Sequence, residues 1–368
     1  MIRMIFVKSY RIFILLIIIF YKTKEEITIM VTSEGIKRLA KQLGADLCGI
    51  ASMDRFEGAP KGQDPRYIQP MAKSCIVLGF RIPRGYFRGI EEGTYFGTYT
   101  TMGYAGINEV YGPIILRELC CYLEDEGYES VPLPNIYLRP STYFDWQPSD
   151  PNVSLPVSPE KPCPDIMIDQ RVAAYAAGLG EYGWSKVFLT PEFGPMQRFV
   201  SLLTTAELEP DPIFEGKLCD RCMACARACT GKAISMTESD HITIAGHDVE
   251  YTKLDQKACS VAYRGGDPDY NPFLATGVKK EDYENLWLGA PVLQQATGIE
   301  VYMRHGTALE GARGCMRECY NHLEKTGKLT KKFTTPFREP GFKHWKIDRS
   351  LYPDVVVGKK KSKDNTLL

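Results

Sequence analysis

Residues 219–229 read CDRCMACARAC, four cysteines spaced C-x2-C-x2-C-x3-C. Thiolates are the soft ligands that iron–sulfur clusters require. This spacing folds three of them around one cubane and sets the fourth a helical turn further on, toward a neighbouring cluster. Buried free cysteines seldom fall at such intervals, and zinc sites usually draw on two separated pairs. One departure is Thr230, which stands where proline usually follows the fourth cysteine.

Seven of the twelve cysteines lie between Cys219 and Cys319, a clustering that favours metal over disulfides and a reducing compartment. A two-cluster module needs about eight cysteines, and the region adds only Cys259, Cys315 and Cys319. Cys315 and Cys319 keep the terminal x3 interval, but Ala312 stands where a further cysteine would complete the run. The arithmetic assigns Cys219, Cys222, Cys225 and Cys319 to one cluster. Cys229, Cys259 and Cys315 remain for a second, one thiolate short. That site is a three-iron cluster, is closed by another ligand with His322 the nearest candidate, or is absent. Cys48, Cys75, Cys120, Cys121 and Cys163 sit in apolar or loop contexts and are expected to pack.

Upstream, the texture alternates between helix and strand. Thr32 or Ser33 caps a helix with Ile36, Leu39, Ala40 and Leu43 on one face, and Gly44 stops it. Strands are expected at Asp46–Ala51, Ser74–Phe80 and Glu129–Leu133. A helix with Pro113 near its start carries Tyr111, Ile115, Leu119 and Tyr122, after a tyrosine- and glycine-rich stretch from Tyr86 to Tyr104. This pattern makes residues 30–210 an α/β (α+β) domain. Residues 211–325 form the cysteine module. The tail from 326 is basic and reads as flexible: from Glu324 onward it has 12 Lys/Arg against 5 Asp/Glu.

Residues 1–29 form an apolar leader. Its core, Ile12–Tyr21, is too short for a spanning helix, and no small-x-small cleavage site follows. Translation starting at Met30 is the preferred reading, which leaves the protein cytoplasmic, with a membrane tether through residues 12–21 next and secretion last. With 45 basic and 45 acidic residues, nothing in the overall charge calls for a nucleic-acid partner. Gly178-Leu-Gly180-Glu-Tyr-Gly183 matches G-x-G-x-x-G, but a dinucleotide fingerprint follows a strand and opens a helix. Here the Ala-rich helix Asp169–Ala177 precedes it and the strand-like KVFLT follows. The glycines instead let backbone approach something flat or tightly packed.

Read together, RVAAYAAGLGEYG from Arg171, LTPEFGP from Leu189, LEP from Leu208 and the four-cysteine run resemble the corrinoid reductases. These comprise the reductive dehalogenases and epoxyqueuosine reductase. GIKRLAKQLGADLCGIA and SCIVLG look like the N-terminal part of the same superfamily. The resemblance covers most of residues 30–322. It implies a nitroreductase-like domain holding base-off cobalamin and a ferredoxin-like two-cluster module, with reduction of a carbon–halogen or carbon–oxygen bond of a small molecule. It also implies a low-potential donor such as ferredoxin or flavodoxin. Gly178, Gly180, Gly183, Ser185, Thr190 and Pro191 would line the corrin, and no D-x-H-x-x-G motif supplies a lower histidine. Epoxyqueuosine reductases carry an aspartate proton donor just before the arginine of this segment; here Gln170 takes that place, with Asp169 one residue earlier. The dehalogenases use a tyrosine, for which Tyr104 and Tyr111 are the candidates. A non-catalytic electron-transfer or corrinoid-reducing partner protein is the alternative function.

Overall fold

The structure, a computed structural model, describes residues 31–95, 97–135, 155–164, 166–256, 258–259, 262, 314–342 and 348–351. Helix α1 (Ser33–Leu43) starts where Thr32 Oγ1 accepts the Gly35 N–H at 3.1 Å. It ends at Gly44, whose φ of 115° suits glycine and lets its N–H reach the Ala40 and Lys41 carbonyls. Strands β1 (Leu47–Ser52), β2 (Ser74–Arg81) and β3 (Ser130–Leu133) follow nearly where the apolar runs place them. Between β2 and β3 come the one-turn helix α2 (Arg88–Glu91), a π-helix over Tyr99–Tyr111 and helix α3 (Gly112–Asp125). Helix α4 (Gln170–Ala176), the two-residue strands β4 (Glu181–Tyr182) and β5 (Phe188–Leu189), and strand β6 (Gln197–Thr204) come next.

The sheet order is β1-β2-β6-β3, and every pairing is antiparallel. Helix and strand are mixed as expected. However, β6 pairs with both β2 and β3, and the sequence reading had left it unassigned. Its signal was the run Phe199–Leu203, buried throughout as a central strand should be.

Alternation along the central strands divides the interior in two. Ile76, Leu78, Val200 and Leu202 face α1 and α3, which contribute Ile36, Ala40, Leu116, Leu119 and Leu123. Cys75, Val77, Phe199 and Leu203 face α4, with Ala173, Ala174 and Ala176, and a hairpin that supplies Ile244, Val249 and Tyr251. That hairpin is β7 (Ile234–Ile244) with β8 (His247–Leu254). Each large apolar side chain so buried contributes about 1.5–3 kcal/mol.

Helix α5 (Ala224–Arg227) carries the middle of the cysteine run and packs on α6 (Gly314–Lys325). Helix α6 places Met316, Tyr320 and Leu323 in the same core as α1 and α3. The start of the stretch read as a flexible tail is packed as well. Leu329 is 2% and Phe337 0% exposed, and the Phe337 ring meets Tyr320 edge-on at 5.2 Å. The lysines around these two residues hid them in the sequence. Residues 12–21, Ala312 and Lys359–Lys363 lie outside the described residues. Among the described residues no helix is long and apolar enough to cross a membrane.

Candidate metal centre

The cysteine loop winds through two non-glycine residues with left-handed backbone, Arg221 at φ 56° and Met223 at φ 58°. Such positions are uncommon, and they tighten the turn that brings Cys219, Cys222 and Cys225 to one side. Asp220 Oδ1 accepts the Cys222 N–H at 3.2 Å, and Arg227 Nη2 donates to the Cys222 carbonyl at 2.9 Å. Cys219 is fixed from the other side. Its N–H and that of Leu218 both donate to Glu181 Oε1, at 2.6 and 2.8 Å. Its Sγ accepts the Trp184 N–H at 3.2 Å.

Cys319, on α6, completes this group. Its thiol is pushed well above the ordinary value, first by burial and then by Cys225, Cys219, Cys222 and Cys315. Burial, with Cys219 and Cys222 beside it, raises the Cys225 thiol to about 11. Two buried thiols whose ionisation is opposed by neighbouring cysteines fit a site whose ligands are deprotonated by a bound soft cation. Cys319 thus lies near Cys219, Cys222 and Cys225, with Cys315 of the second set also close, and thiol donors of this kind suit an iron–sulfur cluster.

The second set is less complete. Cys229 and Cys315 pack against one small core of Trp184, Cys225, Ala226 and Ile234. Cys229 Sγ accepts the Ala233 N–H at 3.3 Å. The segment of Cys259 runs alongside: Asp255 N–H donates to the Ala233 carbonyl at 2.9 Å, and a Cβ on Gly231 would lie 2.8 Å from the Ala258 carbonyl. His322, the candidate extra ligand for this set, sits beside the first one instead. Its Nε2 is 2.8 Å from Asp220 Oδ2, and Asp220, Cys222 and His322 offer ligand atoms within 4.8 Å of one another. Burial would raise the Asp220 carboxyl, but His322 and Lys328 hold it down at about 2.

The residues assigned to the corrin have partners within the chain. A Cβ on Gly178 would lie 2.0 Å from the Pro212 carbonyl oxygen, and one on Gly180 would lie 1.9 Å from that of Leu189. Gly183 closes the β4–β5 turn by donating to the Val187 carbonyl at 2.8 Å. Ser185 and Thr190 are buried; Thr190 Oγ1 accepts the Phe193 N–H and donates to Gln197 Oε1, each at 3.2 Å. The Pro191 carbonyl accepts the Thr330 N–H at 2.9 Å. The need for glycine is therefore met by the protein's own packing, and these residues show no cradle for a macrocycle.

Of the proton-donor candidates, Tyr104 is 2% exposed, and the Arg198 guanidinium lies 3.9 Å from its ring centroid. Arg198 Nε donates to Asn108 Oδ1 at 2.7 Å, and Asn108 Nδ2 is buried without a partner. Tyr111 ends the π-helix and is 49% exposed. Asp169 caps α4 through the Arg171 N–H at 2.9 Å and pairs with the Arg171 guanidinium at 2.6 Å. Burial opposes its ionisation, yet Arg171 holds the carboxyl below its usual range. Sequence reading missed Glu181, Trp184, Asn108 and Arg198. Only Trp184 carried a signal, as a rare residue directly after the glycine motif.

No family model matches the chain. A tetrachloroethene reductive dehalogenase of Dehalobacter restrictus is 27% identical over 273 residues, 67% of this chain and 47% of that protein. One of Desulfitobacterium hafniense is 26% identical over 274 residues, with the same shares covered. One of Sulfurospirillum multivorans reaches 43% over 72 residues, 18% of this chain and 14% of that one. The chain thus spans about half the length, or less, of the curated relatives it matches. Among solved structures, epoxyqueuosine reductase from Streptococcus thermophilus superposes with a TM-score of 0.45 at 15% identity, covering 78% of this chain and 65% of that one. A catabolic reductive dehalogenase in complex with 3-bromo-4-hydroxybenzoic acid gives 0.44 at 18%, covering 88% and 42%. Superpositions at this level add nothing to the fold seen in the chain's own coordinates. The sequence matches bear out the resemblance read from residues 171–234: the chain is similar in sequence to the tetrachloroethene reductive dehalogenases.

Proposed function

We propose that the chain is an iron–sulfur oxidoreductase that reduces a carbon–halogen bond of a small molecule, as its curated relatives' names suggest, or a carbon–oxygen bond, as the resemblance read from the sequence implies. The observation that carries this reading is the convergence of Cys219, Cys222, Cys225 and Cys319 from two separate parts of the chain. A cluster held there transfers single electrons. Cys229, Cys259 and Cys315 would hold a second, atypical one. Cobalamin, which the resemblance implies, would supply the bond-reducing chemistry when bound. No step is assigned to it, because the glycines named for it are occupied by the protein's own carbonyls.

The chain's own contribution is to hold the cluster, receive electrons from a low-potential donor and deliver a proton to the leaving group. Tyr104 is the favoured donor. It is buried, with the Arg198 guanidinium over its ring. Asp169, kept ionised by Arg171, has no proton to give near neutrality.

The competing reading, an electron-transfer or corrinoid-reducing partner protein, draws on the same filled glycine positions. Reconstitution of the full chain under anaerobic conditions with iron, sulfide and hydroxocobalamin separates the two. Chloride released from tetrachloroethene under reduced methyl viologen is the expected result, with bound cobalt measured alongside it. A protein whose clusters load and reduce but which takes up no cobalt would be an electron carrier.

A further inference from the structure

Trp184 follows the last glycine of the motif and is the point at which that turn meets the cysteines. Its main chain is held at both ends: the N–H donates to Cys219 Sγ at 3.2 Å, and the carbonyl accepts the Thr252 N–H at 2.8 Å. The indole is anchored too, Nε1 donating to the Ser235 carbonyl at 2.8 Å. Three contacts to the loop before α5, to β7 and to β8 leave the ring little freedom.

Trp184 is 5% exposed and forms a small core with Cys225, Ala226 and Ile234. Cys219, Cys229 and Cys315 pack against that core. The core that the indole belongs to therefore borders members of both thiolate sets, Cys219 and Cys225 of the first, Cys229 and Cys315 of the second. The Arg221 guanidinium lies 5.1 Å from the ring centroid and caps it toward solvent. No other aromatic residue shares this core among the described residues.

Hydrogen bonds to sulfur and exposure to water both set the reduction potential of such a centre. Reduction adds negative charge, which water stabilises and an apolar wall does not. Removing the wall should therefore make reduction easier and raise the potential. The amide hydrogen bond is supplied by the backbone and survives substitution of the side chain.

We propose that Trp184 is a positioning residue whose indole keeps both thiolate sets dry and so holds their reduction potentials low. This rests on the iron–sulfur reading above. The test uses the full chain, reconstituted with iron and sulfide, as wild type and as Trp184→Phe, Trp184→Leu and Trp184→Gln. Iron content and midpoint potentials are read by metal analysis and a redox titration followed by electron paramagnetic resonance.

Phe retains an apolar ring and the amide bond, so its potentials should stay near wild type. Leu and Gln should shift them upward, Gln further, at undiminished iron content. A Gln or Leu variant with full iron and unshifted potentials overturns the proposal. Wild-type protein exchanged into deuterium oxide gives a second readout that does not depend on any variant loading iron. Pulsed resonance should find few exchangeable hydrogens near the clusters beyond hydrogen-bonding amides, and a heavily solvated centre would also overturn the proposal. A wild-type protein that binds no iron would instead sink the iron–sulfur reading itself.

Discussion

Cys319 stands far along the chain from Cys219, Cys222 and Cys225, yet after burial these three are the largest causes that push its thiol up. Spacing made three of these residues legible, because three ligands on one tight loop leave a local trace. The fourth came from cysteine arithmetic. Trp184 and Glu181 left almost none, since their contacts with Cys219 exist only once the β4–β5 turn closes on the loop. Replacing Cys319 with Ala should therefore cost most of the first cluster's iron, as Cys222→Ala should. Cys120→Ala, on α3 and away from both sets, should cost none. Iron analysis after reconstitution measures this, and full iron in the Cys319 variant would show that the first set is closed by another ligand.

The elements fall into those with a local code and those without one. Helix α1 has a cap, a periodic face and a stop glycine, and it is legible in the sequence apart from the choice of Thr32 over Ser33 as the cap. The π-helix over Tyr99–Tyr111 has no such code, and its tyrosines and glycines gave no period to follow. How α6 is held was equally hidden, because it depends on charges brought together from three elements. Glu91 on α2, 1% exposed, accepts from Arg317 Nη1 at 2.7 Å and from Arg338 Nη2 at 3.0 Å. Arg338 also reaches Glu318 at 2.7 Å. Arg317 lies between Cys315 and Cys319, so this network sets the place of the helix that carries both. Burial alone would raise the Glu91 carboxyl, but Arg317 and Arg338 bring it below its ordinary 4.5. A depressed folded value means the stabilisation is complete above about 4.5 and is lost as pH falls through the lower folded value. Glu91→Gln leaves two buried guanidinium groups short of a partner and should cost about 3–5 kcal/mol at neutral pH. The gap from wild type should narrow in acid. Urea denaturation at pH 7 and pH 4 checks the sign, and a gap that widened in acid would contradict it.

At the scale of the whole molecule, the sequence suggests a boundary near residue 211, where the texture changes from periodic elements to short segments and cysteines. The packing does not stop there. Helix α6 carries Cys315 and Cys319 of the candidate metal centre, and gives Met316, Tyr320 and Leu323 to the core shared with α1 and α3. One helix thus serves both, and holding metal at Cys319 restrains the same helix that fills the interior. Binding to the folded state alone stabilises by mass action, and ligands that must deprotonate to bind couple that gain to folding. Loading with iron and sulfide should therefore raise the thermal midpoint of the entire chain and preserve a single transition, seen alike by far-ultraviolet circular dichroism and by tyrosine and tryptophan fluorescence. Stripping iron with a chelator should lower that midpoint, with both signals moving together. If the fluorescence of the Trp184 region fell away at a lower temperature than the bulk of the secondary structure, residues 211–325 would be a thermodynamic module of their own. The link through α6 would then be too weak to join cluster binding to the sheet and its two faces.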